Sequence, residues 1–288
     1  AASVDPGRNG MVDPGAHGTH VAGIIAAPDN GIGTIGVAPD AKILAVKVLS
    51  DAGGGNFGAI IQGIVYAADQ GADVINMSLG VHGGLQVNGQ GANQVRELVN
   101  ATKRAVMYAR AHNTLTVVSS GNDAQDLDKM SGVKICESDG SCYVANLVAF
   151  PAQLPGALSI SATAPIGWAK APTATFLDNL ASYSNYGASA ISFAGPGGDS
   201  AYPGNENCTR AGITRPCWVF DLVFAPGGYS VSGGSVFASY SWAAGTSMAA
   251  PHVSGIAALV RARSPHLTAR QVMQRIKDTA HRPPAGAI

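Results

Sequence analysis

The stretch GTSMAAPHVSGIAALVRARS, residues 245–264, carries small or apolar residues on nearly every side of a helix as far as Arg261. A helix that lacks a polar face is normally buried, so this segment predicts a helix inside a large core. Gly245 permits close approach of the backbone at its start. Pro251 is expected in or near the first turn, where the missing N–H of proline is tolerated.

Apolar runs rich in valine and isoleucine alternate with helical patterns along the chain. Four of these runs are predicted to be buried strands, over residues 41–49, 72–79, 114–120 and 157–164. Helical spacing of apolar residues predicts helices over residues 58–72 and 93–113. This alternation favours a three-layer α/β fold with a mostly parallel central sheet and helices on both faces.

The pattern LTARQVMQRIKDTAH, residues 267–281, predicts a last helix that begins with a capping box formed by Thr268 and Gln271. Two cysteine-containing stretches, at about residues 123–148 and 195–241, are predicted to be long irregular insertions, because they lack periodicity. No internal repeat or linker is recognisable, so we expect residues 1–288 to form a single domain.

The composition argues against several classes of protein. Hydrophobic residues make up 46% of the 288 residues, charged residues make up only 12%, and the formal net charge is zero. This balance does not favour a nucleic-acid partner. No apolar run approaches the roughly 20 residues of a membrane span, and no signal peptide is recognisable. We therefore expect neither a nucleic acid nor a membrane as a partner.

The four cysteines form two pairs that are close in sequence, Cys136 with Cys142 and Cys208 with Cys217. Neither pair has the CxxC spacing of a zinc site, and no histidine lies near either pair. The preferred interpretation is two short-loop disulfides in an exported protein. The alternative is four reduced thiols in a cytosolic protein.

Three polar residues suggest hydrolytic chemistry. Ser247 lies at the start of the predicted core helix, where free N–H groups and the helix dipole stabilise an oxyanion. His17, in HGTHVAG at residues 17–23, is the residue type that usually serves a serine as its base. Asn122 follows a predicted strand, at the end of the sheet where α/β proteins place their sites. Taken singly, Ser247 is more often a helix cap and Asn122 a turn residue.

Together these pieces resemble a known family, the subtilisin-like serine proteases. The motifs that carry the resemblance occur in the family's order: HGTHVAG (17–23), INMSLG (75–80), SSGN (119–122) and GTSMAAPHVSG (245–255). The resemblance extends from His17 to about His281. It implies a secreted endopeptidase of subtilisin-like fold that hydrolyses extended polypeptides through an acyl-enzyme.

The resemblance assigns roles to individual residues. His17 matches the general base, Ser247 the nucleophile, and Asn122 the side chain that binds the oxyanion together with the Ser247 N–H. The residues that resemble the family's substrate-binding segments are Gly53, Gly54, Gly55, Ser78, Leu79, Gly80 and Gly121.

The matched segments contain no charged residue that would mark a basic-specific pocket. We therefore expect a broad preference for apolar or aromatic P1 residues, although the insertion after Asn122 can still supply a charge. Phe57 and Ile60 are expected to flank an apolar S4 pocket, and Phe150–Pro151 resembles the cis-proline turn of the family.

The stretch PDNGIGTIGVAP, residues 28–39, resembles the calcium loop of the family. The resemblance implies a structural Ca²⁺ held by the Asn30 side chain and by the carbonyls of Pro28, Ile32 and Thr34, because hard oxygen ligands suit this ion. The carboxylate ligand of the family would lie before residue 1. The resemblance also implies a monomer whose partners are polypeptide substrates and its own N-terminal segment or propeptide.

The aspartate that orients the catalytic histidine in this family has no clear counterpart here. In the family it ends the first core strand, in an Asp-Ser/Thr-Gly stretch before the histidine motif. Asp5 and Asp13 precede His17, but both belong to Asp-Pro-Gly turns without a preceding apolar strand. We expect a carboxylate from outside residues 1–288, and a sequence that lacks the N-terminal strand and the C-terminal end of the domain.

Two other functions account for parts of the pattern. A subtilisin-fold binding protein that has lost catalysis, a pseudoprotease, would explain the missing aspartate. An esterase with a nucleophile elbow would need glycine two residues after Ser247, and Ala249 stands there.

Overall fold

The computed structural model describes residues 15–281 except Glu137 and Gly234. Five α-helices lie in this part of the chain: α1 (His17–Ala26), α2 (Phe57–Asp69), α3 (Ala92–Ala111), α4 (Thr246–Arg263) and α5 (Ala269–Thr279). The predicted core helix is α4, and the capping box of Thr268 and Gln271 at the start of α5 is confirmed. Two 3-10 turns, Leu127–Lys129 and Cys217–Asp221, lie outside these helices.

A central sheet of five strands lies between the helices. Its strands are β1 (Val74–Met77), β3 (Leu115–Ser119), β7 (Ala157–Ala164), β8 (Asn179–Leu180) and β9 (Phe193–Pro196). The pairs β1–β3, β3–β7 and β7–β9 are parallel, and only β8 pairs antiparallel, with the end of β7. The predicted mostly parallel sheet is therefore confirmed.

The central strand β3 shows how the layers are arranged, because all five of its residues are buried. Val118 packs in one apolar cluster with Ile64 of α2 and Val106 of α3. Val117 packs in a second cluster with residues of α4 and α5, such as Val253. Since side chains alternate between the two faces of a strand, helices cover both faces of the sheet.

The predicted strand over residues 41–49 is wrong. The segment forms no ladder with the central sheet, and only Leu49 makes an isolated bridge, to Gly55. Ile43 and Leu44 remain 49% and 44% exposed. A strand requires a neighbour that supplies hydrogen bonds, and among the described residues β1 pairs only with β3. The apolar run at residues 41–49 suggested a buried strand, but no neighbouring strand among the described residues supplies the hydrogen bonds that a strand requires.

The prediction that the two insertions are irregular is wrong, because they contain strands in antiparallel pairs. Two pairs lie within the insertions, β4 (Val133–Cys136) with β5 (Cys142–Ala145) and β10 (Asn207–Arg210) with β11 (Ile213–Pro216). A third pair, β12 (Val223–Ser232) with β13 (Ser235–Ala243), extends just past the second insertion, and β6 (Leu147–Val148) of the first insertion pairs with β2 (Leu85–Gln86), which lies outside both. Six of these strands span only two to four residues, which is too short for a periodic pattern to be recognised, whereas β12 and β13 span ten and nine residues and were missed despite their length.

Both predicted disulfides are confirmed, and each one ties a short hairpin. Cys136 bonds to Cys142 across β4 and β5 with an S–S distance of 2.09 Å. Cys208 of β10 bonds to Cys217, just beyond β11, with an S–S distance of 2.05 Å. The Phe150–Pro151 peptide bond is cis, as the resemblance implied.

Candidate active site

The N-terminus of α4 is capped by a side chain from a distant loop. Asn122 lies just beyond the end of β3, and its Oδ1 accepts a hydrogen bond from Thr246 N at 2.9 Å and another from Thr246 Oγ1 at 2.8 Å. Thr246 Oγ1 also accepts a hydrogen bond from Gly121 N at 3.2 Å. Since the Asn122 oxygen is held in this way, its Nδ2 is the group left to donate toward a ligand.

Two N–H donors converge beside Ser247. A Cβ atom built at Gly245, where φ is +155°, would lie 3.6 Å from Asn122 Nδ2 and 3.6 Å from Ser247 N. A Cβ at this position would therefore make ordinary contact with both donors, which places the two nitrogens near one common point. By its position in the first turn of α4, Ser247 N has no intrahelical acceptor. The two N–H groups form a pair suited to a developing negative charge.

The sequence predicts Pro251 in or near the first turn of α4. In the structure it is the sixth residue of the helix and lies in the second turn, just beyond the first. A proline inside a helix leaves the carbonyl four residues earlier without its donor, and here that carbonyl belongs to Ser247. Ser78 Oγ donates to the Ser247 carbonyl oxygen at 2.7 Å and replaces the missing hydrogen bond. Ser78 therefore links the segment after β1 to the backbone of Ser247.

A buried asparagine shapes the loop that carries Asn122. Asn185 is 1% exposed, its Oδ1 accepts from Asp123 N and Gln125 N at 3.0 Å each, and its Nδ2 donates to the Ser120 carbonyl at 3.0 Å. Gly121 adopts φ +106°, and a Cβ there would lie 2.5 Å from Asn185 Nδ2. Only glycine fits at this position, because any other residue would strain the backbone at this positive φ and its Cβ would overlap the Asn185 amide.

A cavity of about 160 Å³ opens beside Ser247. It is similar in size to the roughly 150 Å³ cavity that accommodates benzene in another protein. Its lining comes from the segment after β1, the loop after β3, the cis-proline turn and the start of α4. The lining residues are Leu79, Gly80, Val81, His82, Ser119, Ser120, Gly121, Asn122, Asp123, Ala149, Phe150, Asn185, Thr246 and Ser247.

The helix that begins at His17 packs against the helix of Ser247. Val21 and Ile24 of α1 form an apolar cluster with Met248 of α4 and Ala225 of β12. His17 is exposed at the first position of α1, whereas His20, one turn later, is buried. Burial lowers the pKa of His20, and its Nε2 lies 3.2 Å from the Ser241 carbonyl. Burial therefore favours the neutral form of His20, which is a structural residue, whereas His17 is the exposed histidine of the motif.

Some of the predicted site residues lie outside this cavity. Gly53, Gly54 and Gly55 form an exposed turn in which Ser50 N donates to the Gly54 carbonyl and Gly53 N to the Ser50 carbonyl. The turn leads into α2, where Phe57 packs on Phe150 with a ring-centroid distance of 4.8 Å. Ile60 is buried against the same core, and the predicted S4 pocket beside Phe57 and Ile60 stays a prediction.

The predicted calcium loop is a separate, largely exposed feature. Asn30 Oδ1 accepts a hydrogen bond from Ile32 N at 3.1 Å, and Thr34 Oγ1 is buried without a partner among the described residues. Asp5 and Asp13, the candidates to orient His17, lie outside the described residues.

Comparison with known proteins identifies the family. The Peptidase_S8 model, described as the subtilase family, matches residues 2–287. The chain belongs to the subtilase family. It is 32% identical to subtilisin DY of Bacillus licheniformis over 281 residues, which are 97% of this chain and 75% of that protein. It is 33% identical to alkaline elastase YaB of Bacillus sp. (strain YaB) over 280 residues.

The match to alkaline elastase YaB covers 97% of this subtilase chain but only 53% of that relative, so the chain spans about half its length. Among solved structures, a protease of Pseudoalteromonas arctica PAMC 21717 shares 30% identity with a TM-score of 0.64, covering 93% of this chain and 65% of that one. Sphericase shares 26% identity with a TM-score of 0.59, covering 93% and 70% of the two chains.

The subtilisin-like fold is confirmed, and family membership indicates a serine endopeptidase. Over the described residues of the subtilase, no helix is long and apolar enough to span a bilayer.

Sequence reasoning missed three residues of the site. Asp123 and His82 line the cavity, and Asn185 organises its wall from a position 62 residues beyond Asp123. The position of Asp123 directly after Asn122 was an available signal for its role. Nothing in the local sequence around Asn185 marks it.

The contacts of Asn122 predict a specific kinetic defect. Asn122→Leu removes the Nδ2 donor, so kcat should fall by about 10²–10³, the loss known for the side-chain oxyanion donor of subtilisin, while KM changes little. Thr246→Val removes the hydroxyl that donates to Asn122 Oδ1 and accepts from Gly121 N, but it keeps the backbone hydrogen bond from Thr246 N, so it should lower kcat by a smaller factor. Steady-state kinetics on a peptide substrate measure both effects. Asn100→Leu, at an exposed position of α3, is the control. A rise in KM with unchanged kcat for Asn122→Leu would make Asn122 a ground-state contact.

Proposed function

We propose that this subtilase is a secreted serine endopeptidase that cleaves extended polypeptides through an acyl-enzyme. The observation that carries the proposal is that Asn122 Nδ2 and Ser247 N both lie 3.6 Å from one point beside Gly245, with a cavity lined by Asn122 and Ser247 next to it. Two N–H donors beside a serine are the arrangement that stabilises a tetrahedral oxyanion. Family membership supports the same chemistry.

In the acylation step, His17 accepts the proton of Ser247 Oγ while this oxygen attacks the carbonyl carbon of the scissile peptide. The negative charge moves to the carbonyl oxygen, which receives hydrogen bonds from Asn122 Nδ2 and Ser247 N. Collapse of the tetrahedral intermediate breaks the C–N bond, and His17 returns the proton to the leaving amine. The product is an ester between Ser247 and the N-terminal part of the substrate.

Deacylation repeats these steps with water as the nucleophile. His17 accepts a proton from the water molecule as it attacks the ester, and the same donors hold the oxyanion. The proton then passes to Ser247 Oγ, which restores the enzyme and releases a carboxylic acid. The proposal includes a carboxylate that accepts the His17 Nδ1–H and stabilises the imidazolium.

We also propose that substrate residues before the scissile bond bind as an added strand. The exposed turn of Gly53–Gly55 is the edge offered for this pairing, and the segment Ser78–Gly80 is proposed to line one side of the P1 pocket, as the family motifs imply. An apolar or aromatic P1 side chain would enter the cavity, where Leu79 and Phe150 supply apolar surface. The protein is proposed to act as a monomer, and its own N-terminal segment or propeptide is the partner we expect at this groove.

The function is tested by replacing the nucleophile. Ser247→Ala should reduce hydrolysis of an unfolded polypeptide by about 10⁶-fold, which is the loss known for the nucleophile of subtilisin. Release of peptides, resolved by mass spectrometry, measures the activity, and the melting temperature reports folding. Ser200→Ala, at an exposed position, should retain full activity. If the unaltered protein folds but hydrolyses no peptide, it is a pseudoprotease.

We propose that the loop over residues 28–34 binds a structural Ca²⁺. The buried Thr34 Oγ1 without a described partner supports a polar ligand at this loop. Asn30 Oδ1 already accepts one hydrogen bond, and an amide oxygen retains a second lone pair for a cation. Asn30, Pro28, Ile32 and Thr34 supply four neutral oxygens, whereas Ca²⁺ takes about six to eight. The site therefore fits the ion only with ligands beyond these four.

Chelation tests the calcium proposal. Excess EDTA should lower the melting temperature of the unaltered protein, because an ion bound only by the native state stabilises it through mass action. Asn30→Ala should lower the melting temperature in calcium and make it insensitive to EDTA. Asn207→Ala, in the exposed β10, is the matched control and should keep the full response. A melting temperature that does not change with EDTA would contradict the proposal.

A further inference from the structure

A carboxylate forms part of the cavity beside Ser247. Asp123 follows Asn122 directly and lines the same cavity, yet its side chain is only 9% exposed. Its Oδ2 lies 3.2 Å from the position that a Cβ would occupy at Gly121, so the carboxylate stands at the wall that Gly121 leaves open. Asp123 and His82 are the only ionisable side chains among the described residues that line the cavity.

The carboxylate of Asp123 is held in place by neutral donors. Gly83 N donates to Oδ1 at 3.1 Å, and Asn185 Nδ2 donates to Oδ2 at 3.3 Å. Neither donor carries a charge, and a carboxylate has about four acceptor sites. The fixed geometry therefore leaves acceptor capacity for a cationic group, and a partly desolvated carboxylate gains most from such a partner.

Among the described residues, the titratable group in contact with this carboxylate is His82. Its Nδ1 contacts Asp123 Oδ1, but the His82 side chain is 90% exposed. An ion pair or hydrogen bond with so exposed a partner contributes little, because water competes for both groups. His82 can swing into solvent without losing packing, whereas Asp123 is fixed by Gly83 and Asn185.

We infer that Asp123 admits a lysine or arginine P1 side chain to the cavity and that His82 competes with the substrate for this carboxylate. The inference rests on the proposed function, because it takes the cavity as the P1 site. Leu79 and Phe150 accommodate the apolar part of a long basic side chain, and its cationic end meets Asp123. The enzyme then cleaves after both apolar and basic residues.

The test uses peptides that differ only at P1, with arginine, lysine, norleucine or phenylalanine. Asp123→Asn should lower kcat/KM for the arginine and lysine peptides by about 10-fold to 100-fold, the range for a hydrogen bond to a charged group. It should leave the ratio between norleucine and phenylalanine unchanged. His82→Gln should raise the preference for arginine over norleucine by about twofold to fivefold, since it removes a weak competitor.

The ratio of kcat/KM for two substrates is measured within one variant, so it does not depend on the fraction that is folded. Asp139→Asn, in an exposed turn of the β4–β5 hairpin, is the control and should leave every ratio unchanged. If Asp123→Asn affects arginine and norleucine peptides equally, this inference is wrong while the proposed function stands. If the unaltered enzyme cleaves no peptide of the series, both are wrong.

Discussion

The two hydrogen bonds from Thr246 to Asn122 Oδ1 are the constraint on which the site depends. They join the end of the central strand β3 to the first residue of the core helix α4, across 124 positions of the sequence. A helix N-terminus buried without an acceptor would be costly, because its N–H groups have no intrahelical partner. Here Asn122 supplies that acceptor with its Oδ1, and the same contact leaves its Nδ2 as the group that can donate to a ligand. Stability of the fold and orientation of the site therefore come from one interaction.

The surrounding structure makes this contact rigid. Apolar side chains on both faces of β3 fix the end of the strand, and Asn185 fixes the loop that follows it. On the other side, Pro251 frees the Ser247 carbonyl, and Ser78 binds it. The segment after β1, the loop after β3 and the start of α4 thus hold one another, and the cavity lies between them.

The parts of the fold that depend on local pattern were predictable from the sequence. The all-round apolar face of α4, the capping box at Thr268 and the valine-rich central strands each have a local physical cause. Residues 41–49 failed the prediction because a strand needs a hydrogen-bonding neighbour, which an apolar run does not specify. The strands β4, β5, β10 and β11 of the insertions were missed because four residues are too few to show a periodic pattern.

The site was predictable where a motif fixes a backbone position, as at Asn122 and Ser247, and not where tertiary contact places a side chain. The roles of Asn185 and of the carboxylate of Asp123 follow from packing between segments far apart in sequence.

The most direct test of Ser247 as nucleophile is covalent labelling by a fluorophosphonate, located by peptide mapping with mass spectrometry. We predict that the reagent labels one serine of the unaltered protein, Ser247, and that it labels no residue of the Ser247→Ala variant. Labelling of another serine, or no labelling of a preparation that cleaves peptides, would contradict this account.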